Sequence, residues 1–134
     1  MRYLLDTNTV SDFFRQHPAV LAHFDQGSPS ELAISSVTVM EIEYGMARQP
    51  AARRRFGEVW ALLQRDLAVL DYAAPDAVQT GHLRAHLAGL GTPIGPFDLQ
   101  LAGTALARRL ILVSNNTAEF VRVPGLALED WRQP

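Results

Sequence analysis

The stretch Arg2-Tyr3-Leu4-Leu5-Asp6-Thr7-Asn8 decides the fold. Its apolar run is too short for a helix, and it stops at Asp-Thr-Asn, a cluster suited to turns and helix N-caps. Val10, Phe13 and Phe14 follow at helical spacing. The pattern therefore predicts a strand that leads directly into a helix, which is the repeating unit of a parallel α/β sheet.

The same strand-to-helix pattern recurs along the chain. After the first strand at 2–5, strands are predicted at 32–37, 67–70 and 110–113, and helices at 19–25, 38–47 with Thr38 as N-cap, 50–65, 75–89 and 97–106. Loops are predicted at 91–96 and 114–117. Strands that alternate with helices favour parallel pairing, right-handed crossovers and helices on both faces. The predicted fold is α/β, a three-layer α/β/α sandwich with a short, mostly parallel sheet.

The composition sets limits on the class of protein. With 134 residues, 48% of them hydrophobic, the chain can bury a core, and residues 1–134 are expected to form a single domain. Charged residues or glycine interrupt the apolar stretches, and the first five residues lack the apolar run of a signal peptide. We therefore expect a soluble, cytoplasmic protein with no membrane contact. The absence of cysteine excludes disulfides, zinc–thiolate sites and thiol nucleophiles.

The basic residues are all arginine. The sequence has twelve arginines and no lysine, so a phosphate-binding loop of the type that needs a lysine is excluded. The net charge of −2 gives no overall attraction to nucleic acid, so any RNA contact must come from local clusters. The densest cluster is Arg48, Arg53, Arg54 and Arg55, which can either meet an RNA backbone or solvate a helix face.

Three acidic residues lie where a parallel sheet places its functional sites. Asp6 follows the first predicted strand, Glu41 lies one turn into the helix after the second, and Asp98 opens the helix behind a Gly-Pro corner. In open parallel sheets, sites form outside the carboxyl ends of the strands. We therefore expect Asp6, Glu41 and Asp98 to share one cleft.

Each of these acids also has a purely structural interpretation. Asp6 can cap the next helix, Thr38 and Glu41 have the spacing of a capping box, and Asp98 can complement a helix dipole. Carboxylates brought together repel, however, unless a cation neutralises them. Taken jointly, the acids and the missing cysteines favour Mg²⁺, for which Mn²⁺ can substitute, over Zn²⁺. His82 and His86 have the spacing of a ligand pair but no third ligand, so we interpret them as surface or core residues.

Four ordered motifs carry a resemblance to a known family. They are Leu4-Leu5-Asp6-Thr7-Asn8, Ser36-Val37-Thr38-Val39-Met40-Glu41-Ile42-Glu43-Tyr44-Gly45, Pro93-Ile94-Gly95-Pro96-Phe97-Asp98-Leu99-Gln100-Leu101-Ala102, and Val113-Ser114-Asn115-Asn116-Thr117-Ala118-Glu119-Phe120. The pattern resembles a PIN domain nearly from end to end. With its closing motifs at 123–126 and 129–131, it is most similar to the VapC toxins of bacterial toxin–antitoxin systems, in particular to those that cleave initiator tRNA.

The resemblance implies an Mg²⁺-dependent ribonuclease. Asp6, Glu41 and Asp98 match the first three acids of the family, and the fourth position is left open between Asn116 and Glu119. Metal-assisted attack of water on phosphorus requires no Ser, Cys or His nucleophile. Among the polar residues of the motifs, Thr7, Asn8 and Ser114 can position phosphate or water.

The same resemblance implies a VapB-like antitoxin partner and a homodimer, with RNA, including tRNA, as substrate. The aromatic side chains near Phe13, Phe14 and Trp60 can serve a partner or belong to the core, and the core is the commoner place for them. Two other functions stay open. The chain can be a nuclease for DNA or flap structures, or a catalytically silent binding module in which the acids only cap helices.

Overall fold

The structure, a computed structural model, describes all 134 residues. It has five strands: β1 (Tyr3–Leu5), β2 (Leu32–Ser35), β3 (Ala68–Leu70), β4 (Ile111–Val113) and β5 (Leu128–Glu129). It has seven α-helices: α1 (Thr7–Phe14), α2 (Pro18–Gln26), α3 (Ser36–Arg48), α4 (Pro50–Asp66), α5 (Ala74–Gly89), α6 (Pro96–Arg108) and α7 (Thr117–Phe120). A short 3-10 turn, Pro29–Glu31, precedes β2.

The strands form one sheet in the order β3-β2-β1-β4-β5, and every neighbouring pair is parallel. β1 lies in the centre, where Leu4 is paired with Ala33 on one side and with Leu112 on the other. The strand order changes direction between β1 and β4. A crevice opens at such a switch point, outside the carboxyl ends of the strands.

The sheet separates two apolar cores because successive side chains of a strand point to opposite faces. Leu4 and Leu112 pack with side chains of α5 and α6, whereas Leu5 and Val113 pack with side chains of α1 to α4. Phe13 and Phe14 are half-buried against this second core and Trp60 is fully buried in it, so the core interpretation of these aromatics is confirmed. Helices on both faces confirm the three-layer α/β/α sandwich. None of the helices combines the length and apolar composition that a membrane crossing requires.

The start of α3 differs from the prediction. β2 ends at Ser35 instead of at residue 37, and the Ser35 hydroxyl accepts a hydrogen bond from the Val37 N–H at 3.0 Å, so Ser35 is the N-cap. Thr38 lies inside the helix, fully buried, and its Oγ1 has no hydrogen-bond partner. The predicted cap at Thr38, and the capping box with Glu41, were therefore wrong. Ser35, at the end of the strand, has an extended backbone and serves as the N-cap three residues before the predicted one.

Two further elements were not predicted. The residues after β4 were expected to form only a turn, but Thr117–Phe120 continues as the short helix α7. β5 has two residues and no strand pattern of its own, and it exists because Leu128 and Glu129 pair with Leu112 and Val113. The other predicted helices and strands are confirmed, with small shifts at their ends.

An ion pair ties α5 to α6. Asp76 is almost fully buried and its carboxylate accepts two hydrogen bonds from Arg108, at 3.1 Å and 2.9 Å. Burial by itself raises the pKa of Asp76, but the bonds from Arg108 and from the Ala73 N–H outweigh it, so the pKa is lowered overall. The charged carboxylate therefore stabilises the fold at neutral pH.

Arg108→Met is expected to lower the free energy of unfolding by about 1–3 kcal/mol at pH 7, because the buried carboxylate of Asp76 loses its two hydrogen bonds from Arg108. The wild-type contribution of Asp76 is present above its unfolded-state pKa and is lost as pH falls through the lowered folded-state pKa. The difference between the two proteins should therefore shrink in acid. Urea denaturation at several pH values measures it, with the exposed Arg54→Met as control. An equal deficit at all pH values would contradict this role of the pair.

Candidate active site

Asp6 is fixed at the end of the central strand. Its backbone N–H donates to the Val113 carbonyl at 3.0 Å, and its Oδ1 accepts from the Thr9 N–H at 2.8 Å, which makes Asp6 the N-cap of α1. The side chain is 3% exposed. Burial raises the pKa of Asp6, and hydrogen bonds from Ser114 and Thr9 only partly oppose this. The capping interpretation is confirmed, but capping uses only one carboxylate oxygen.

Asp98 lies beside the two candidates for the fourth position. The Asn116 side-chain amide donates to Asp98 Oδ2 at 3.2 Å and to Glu119 Oε2 at 2.7 Å. Burial raises the pKa of Asp98 to about 6, with a hydrogen bond to Glu119 and the charges of Glu119 and Asp6 as further causes, while the bond from Asn116 lowers it. The structure therefore brings both Asn116 and Glu119 to Asp98, the amide as a bridge and the carboxylate as a neighbouring charge.

Glu41 lies on α3, and its side chain is hydrogen-bonded to Thr7 and not to Asp6 or Asp98. The Thr7 hydroxyl donates to Glu41 Oε1 at 2.7 Å. Thr7 is the first residue of α1, directly after Asp6, so this bond joins the start of α1 to α3. Of the other polar residues, Ser114 is buried and accepts a bond from the Asn116 N–H at 2.9 Å, whereas Asn8 is exposed and makes no side-chain hydrogen bond.

Two charged residues near Asp6 were missed in the sequence. Asp12 is buried on α1 and receives a bidentate pair of hydrogen bonds from Arg132, at 2.7 Å and 2.9 Å. The charge of Asp12 contributes to the raised pKa of Asp6. A lone Asp in an amphipathic helix gives no signal that a partner 120 positions later will bury it. Trp131, the neighbour of Arg132 in sequence, packs edge-on against the ring of Tyr3.

The donors at this site fit a hard divalent cation in their chemistry. The charges of Glu119 and Asp6 raise the pKa of Asp98, and no cationic side chain is hydrogen-bonded to any of the three acids. Carboxylate and amide oxygens are the ligands that Mg²⁺ prefers. No group of three or more acidic or histidine side chains, however, is close enough to hold a metal ion as the side chains stand. The fit therefore rests on the kind of donors and on the unrelieved repulsion between them.

The fold and the acidic crevice define a class of protein. A sequence model of the PIN domain matches residues 3–126, which include strands β1 to β4 and all the acids described above. The chain is therefore a PIN-domain protein.

Comparison with known proteins narrows the class. The tRNA(fMet)-specific endonuclease VapC of Salmonella typhimurium is 40% identical over 131 residues, and that of Shigella flexneri is 41% identical, each match covering 98% of both chains. The chain belongs to the VapC family of PIN-domain ribonucleases, the toxins of toxin–antitoxin systems.

Solved structures agree with this assignment. The DNA-bound VapBC of Salmonella typhimurium superposes with a TM-score of 0.89 at 39% identity, covering 98% of both chains. VapBC2 of Rickettsia felis, bound to a DNA fragment from its promoter, has a TM-score of 0.86 at 31% identity, covering 98% of this chain and 99% of the other.

Proposed function

We propose that this chain is a Mg²⁺-dependent endoribonuclease toxin that cleaves tRNA, initiator tRNA in particular, with Asp6, Glu41 and Asp98 as metal ligands. The observation that carries the metal site is the raised pKa of the half-buried Asp98, which has Glu119 and Asp6 as neighbouring charges at the switch point of the sheet. The names of the Salmonella and Shigella relatives support the choice of tRNA. Mn²⁺ is expected to substitute for Mg²⁺.

The residues of the chain prepare the site for hydrolysis. The Thr9 N–H donates to Oδ1 of Asp6 and so fixes the carboxylate at the end of β1. The Thr7 hydroxyl orients Glu41, and the Asn116 amide holds Asp98 and Glu119 together despite their repulsion. A bound Mg²⁺ supplies the positive charge that phosphodiester hydrolysis needs. Since Asn116 bonds two acids at once, we assign it a positioning role and assign the fourth negative charge to Glu119.

The proposal includes the partners of the protein. The structural neighbours are complexes named VapBC, which supports a VapB-like antitoxin as the partner of this chain. We further propose that residues 1–134 act as one PIN domain, that two copies form a homodimer, and that the toxin acts in the cytoplasm. Light scattering of the purified protein, alone and after coexpression with the product of a neighbouring short reading frame, tests the dimer and the partner.

Cleavage assays test the proposed activity. Purified protein is incubated with total tRNA, with an initiator tRNA anticodon stem-loop and with the DNA version of that stem-loop, in Mg²⁺, in Mn²⁺ or in EDTA. We expect cuts in the RNA stem-loop that need a metal ion, and none in DNA. Equal cutting of DNA would favour a DNA or flap nuclease. No cutting together with no Mn²⁺ binding would favour a silent binding module.

A further inference from the structure

A groove leads away from the proposed catalytic acids. It has a volume of about 390 Å³ and lies between α1, α3 and the start of α4. At one end it is lined by Thr7 and Glu41, the hydrogen-bonded pair of the acid site. Its floor is apolar, and its side chains include Phe14, Ile42, Met46 and Phe56. The groove is therefore continuous with the place where the scissile phosphate is expected.

The rim of the groove carries an aromatic ring and a guanidinium group in sequence. Tyr44 and Arg48 follow Glu41 at helical spacing on the same face of α3. Tyr44 is 59% exposed, and the Arg48 guanidinium lies 5.8 Å from the centre of its ring and donates to its hydroxyl at 3.0 Å. From Glu41 to Arg48 the helix rises about 10 Å. This distance is of the same order as the spacing between neighbouring nucleotides in a strand.

The groove has a surplus of positive charge. Arg15, at the end of α1, and Arg48 are both exposed, and neither is paired with an acid. Arg53, in contrast, is bonded to Glu43, so it is less available to an anion. Glu41 is the only acidic residue that lines the groove. The members of the predicted arginine cluster therefore differ. Arg53 is paired with an acid, whereas Arg48 lines the groove without an acidic partner.

We propose that this groove is an RNA subsite next to the cleaved bond, in which Tyr44 stacks an unpaired base while Arg48 and Arg15 hold adjacent phosphates. An aromatic platform beside cationic side chains is the usual means of binding single-stranded nucleic acid. A strand whose phosphodiester lies at the acids must also leave them along the surface, and this groove begins there. The assignment rests on the proposed ribonuclease function.

Binding in EDTA tests the subsite without cleavage. The affinity for a short fluorescent single-stranded RNA is measured by anisotropy at several salt concentrations. Tyr44→Leu should weaken binding about 5- to 100-fold, because stacking is lost, and Tyr44→Phe should keep most of it. Arg48→Gln should weaken binding and reduce the slope of log affinity against log salt by about 0.7. Arg84→Gln, an exposed arginine on α5, is the matched control and should change neither quantity.

Kinetics in Mg²⁺ give a second measurement. Tyr44→Leu and Arg48→Gln should raise KM several-fold and leave kcat nearly unchanged, since both side chains hold substrate away from the bond that breaks. Wild-type affinity and salt dependence in both variants would overturn the subsite. If the two variants bind RNA normally but are no longer inhibited by the antitoxin, the subsite is also overturned. That result would show that the groove binds a protein partner. If the wild type cleaves no RNA at all, the proposed function fails, while the binding measurement still decides the subsite.

Discussion

Asp98→Asn is expected to reduce metal-dependent RNA cleavage by at least about 100-fold and to make the metal-free protein more stable. Loss of groups that only orient metal ligands typically lowers activity 10- to 100-fold, so loss of a ligand charge should lower it at least as far. The asparagine has nearly the same shape, and it removes one charge from the repulsive cluster with Glu119 and Asp6. We expect a gain of about 0.5–2 kcal/mol in the free energy of unfolding.

The pH dependence of this gain follows from the pKa of Asp98. That pKa is about 6 in the folded protein and 3.8 for an ordinary aspartate, so the fold favours the protonated form. Wild-type stability contributed by this group is therefore complete below about pH 3.8 and is lost as pH rises to about 6. The advantage of the asparagine variant should be largest above pH 6 and small in acid.

Thermal or urea unfolding in EDTA, together with the RNA cleavage assay, measures both effects. Asp25→Asn serves as the control, because Asp25 is exposed at the end of α2 and makes no side-chain hydrogen bond. It should alter neither activity nor stability. If the Asp98→Asn variant cleaves RNA as fast as the wild type, Asp98 is not a metal ligand. A variant that is inactive and also less stable at pH 8 would show that repulsion is not the dominant property of this cluster.

Gly103→Ala is expected to have the largest effect on stability. Gly103 lies in the buried helix α6 where it passes α5, and a Cβ at this position would be 2.0 Å from Thr80 Oγ1 and 2.9 Å from Thr80 Cα. A rotation of the threonine side chain can relieve the first contact but not the second. The two helices must therefore separate, and we expect a loss of about 3 kcal/mol or more, at the upper end for overpacked cores.

A second glycine provides a matched control for this variant. Gly81 is exposed on α5, one position after Thr80, and a Cβ there would meet nothing within 4 Å. Gly81→Ala should be neutral or stabilise the protein by up to about 1 kcal/mol, because alanine favours a helix. Urea denaturation of both variants gives the comparison. If both are equally stable, the close contact between α5 and α6 does not exist in solution.

The sequence was most informative where local signals decide the structure. The short apolar run before Asp6 and the helical pattern after it predicted β1, α1 and the position of the first acid. The same reasoning placed Asp98 in the first turn of α6. It failed at Thr38, where two consecutive serines offered an earlier cap with nearly the same chemistry.

Long-range pairing lay outside the reach of such reasoning. β5 is a strand only because β4 lies beside it, and Asp12 is buried only because Arg132 returns to α1. The two hydrogen bonds from the Asn116 amide to Asp98 and Glu119 also depend on the packing of α6 beside β4. Motif spacing predicted that these residues share a cleft, but not which of them touch.

The central place of β1 has a consequence for the making of the protein. The first strand to leave the ribosome needs β4, more than a hundred residues later, to complete its pairing. Two of the cluster's three acids, Asp98 and Glu119, also belong to the last third of the chain. Since non-local pairs form only after the intervening chain exists, a growing polypeptide has no assembled acid cluster. The acid cluster can therefore assemble only after the last third of the chain has been synthesised.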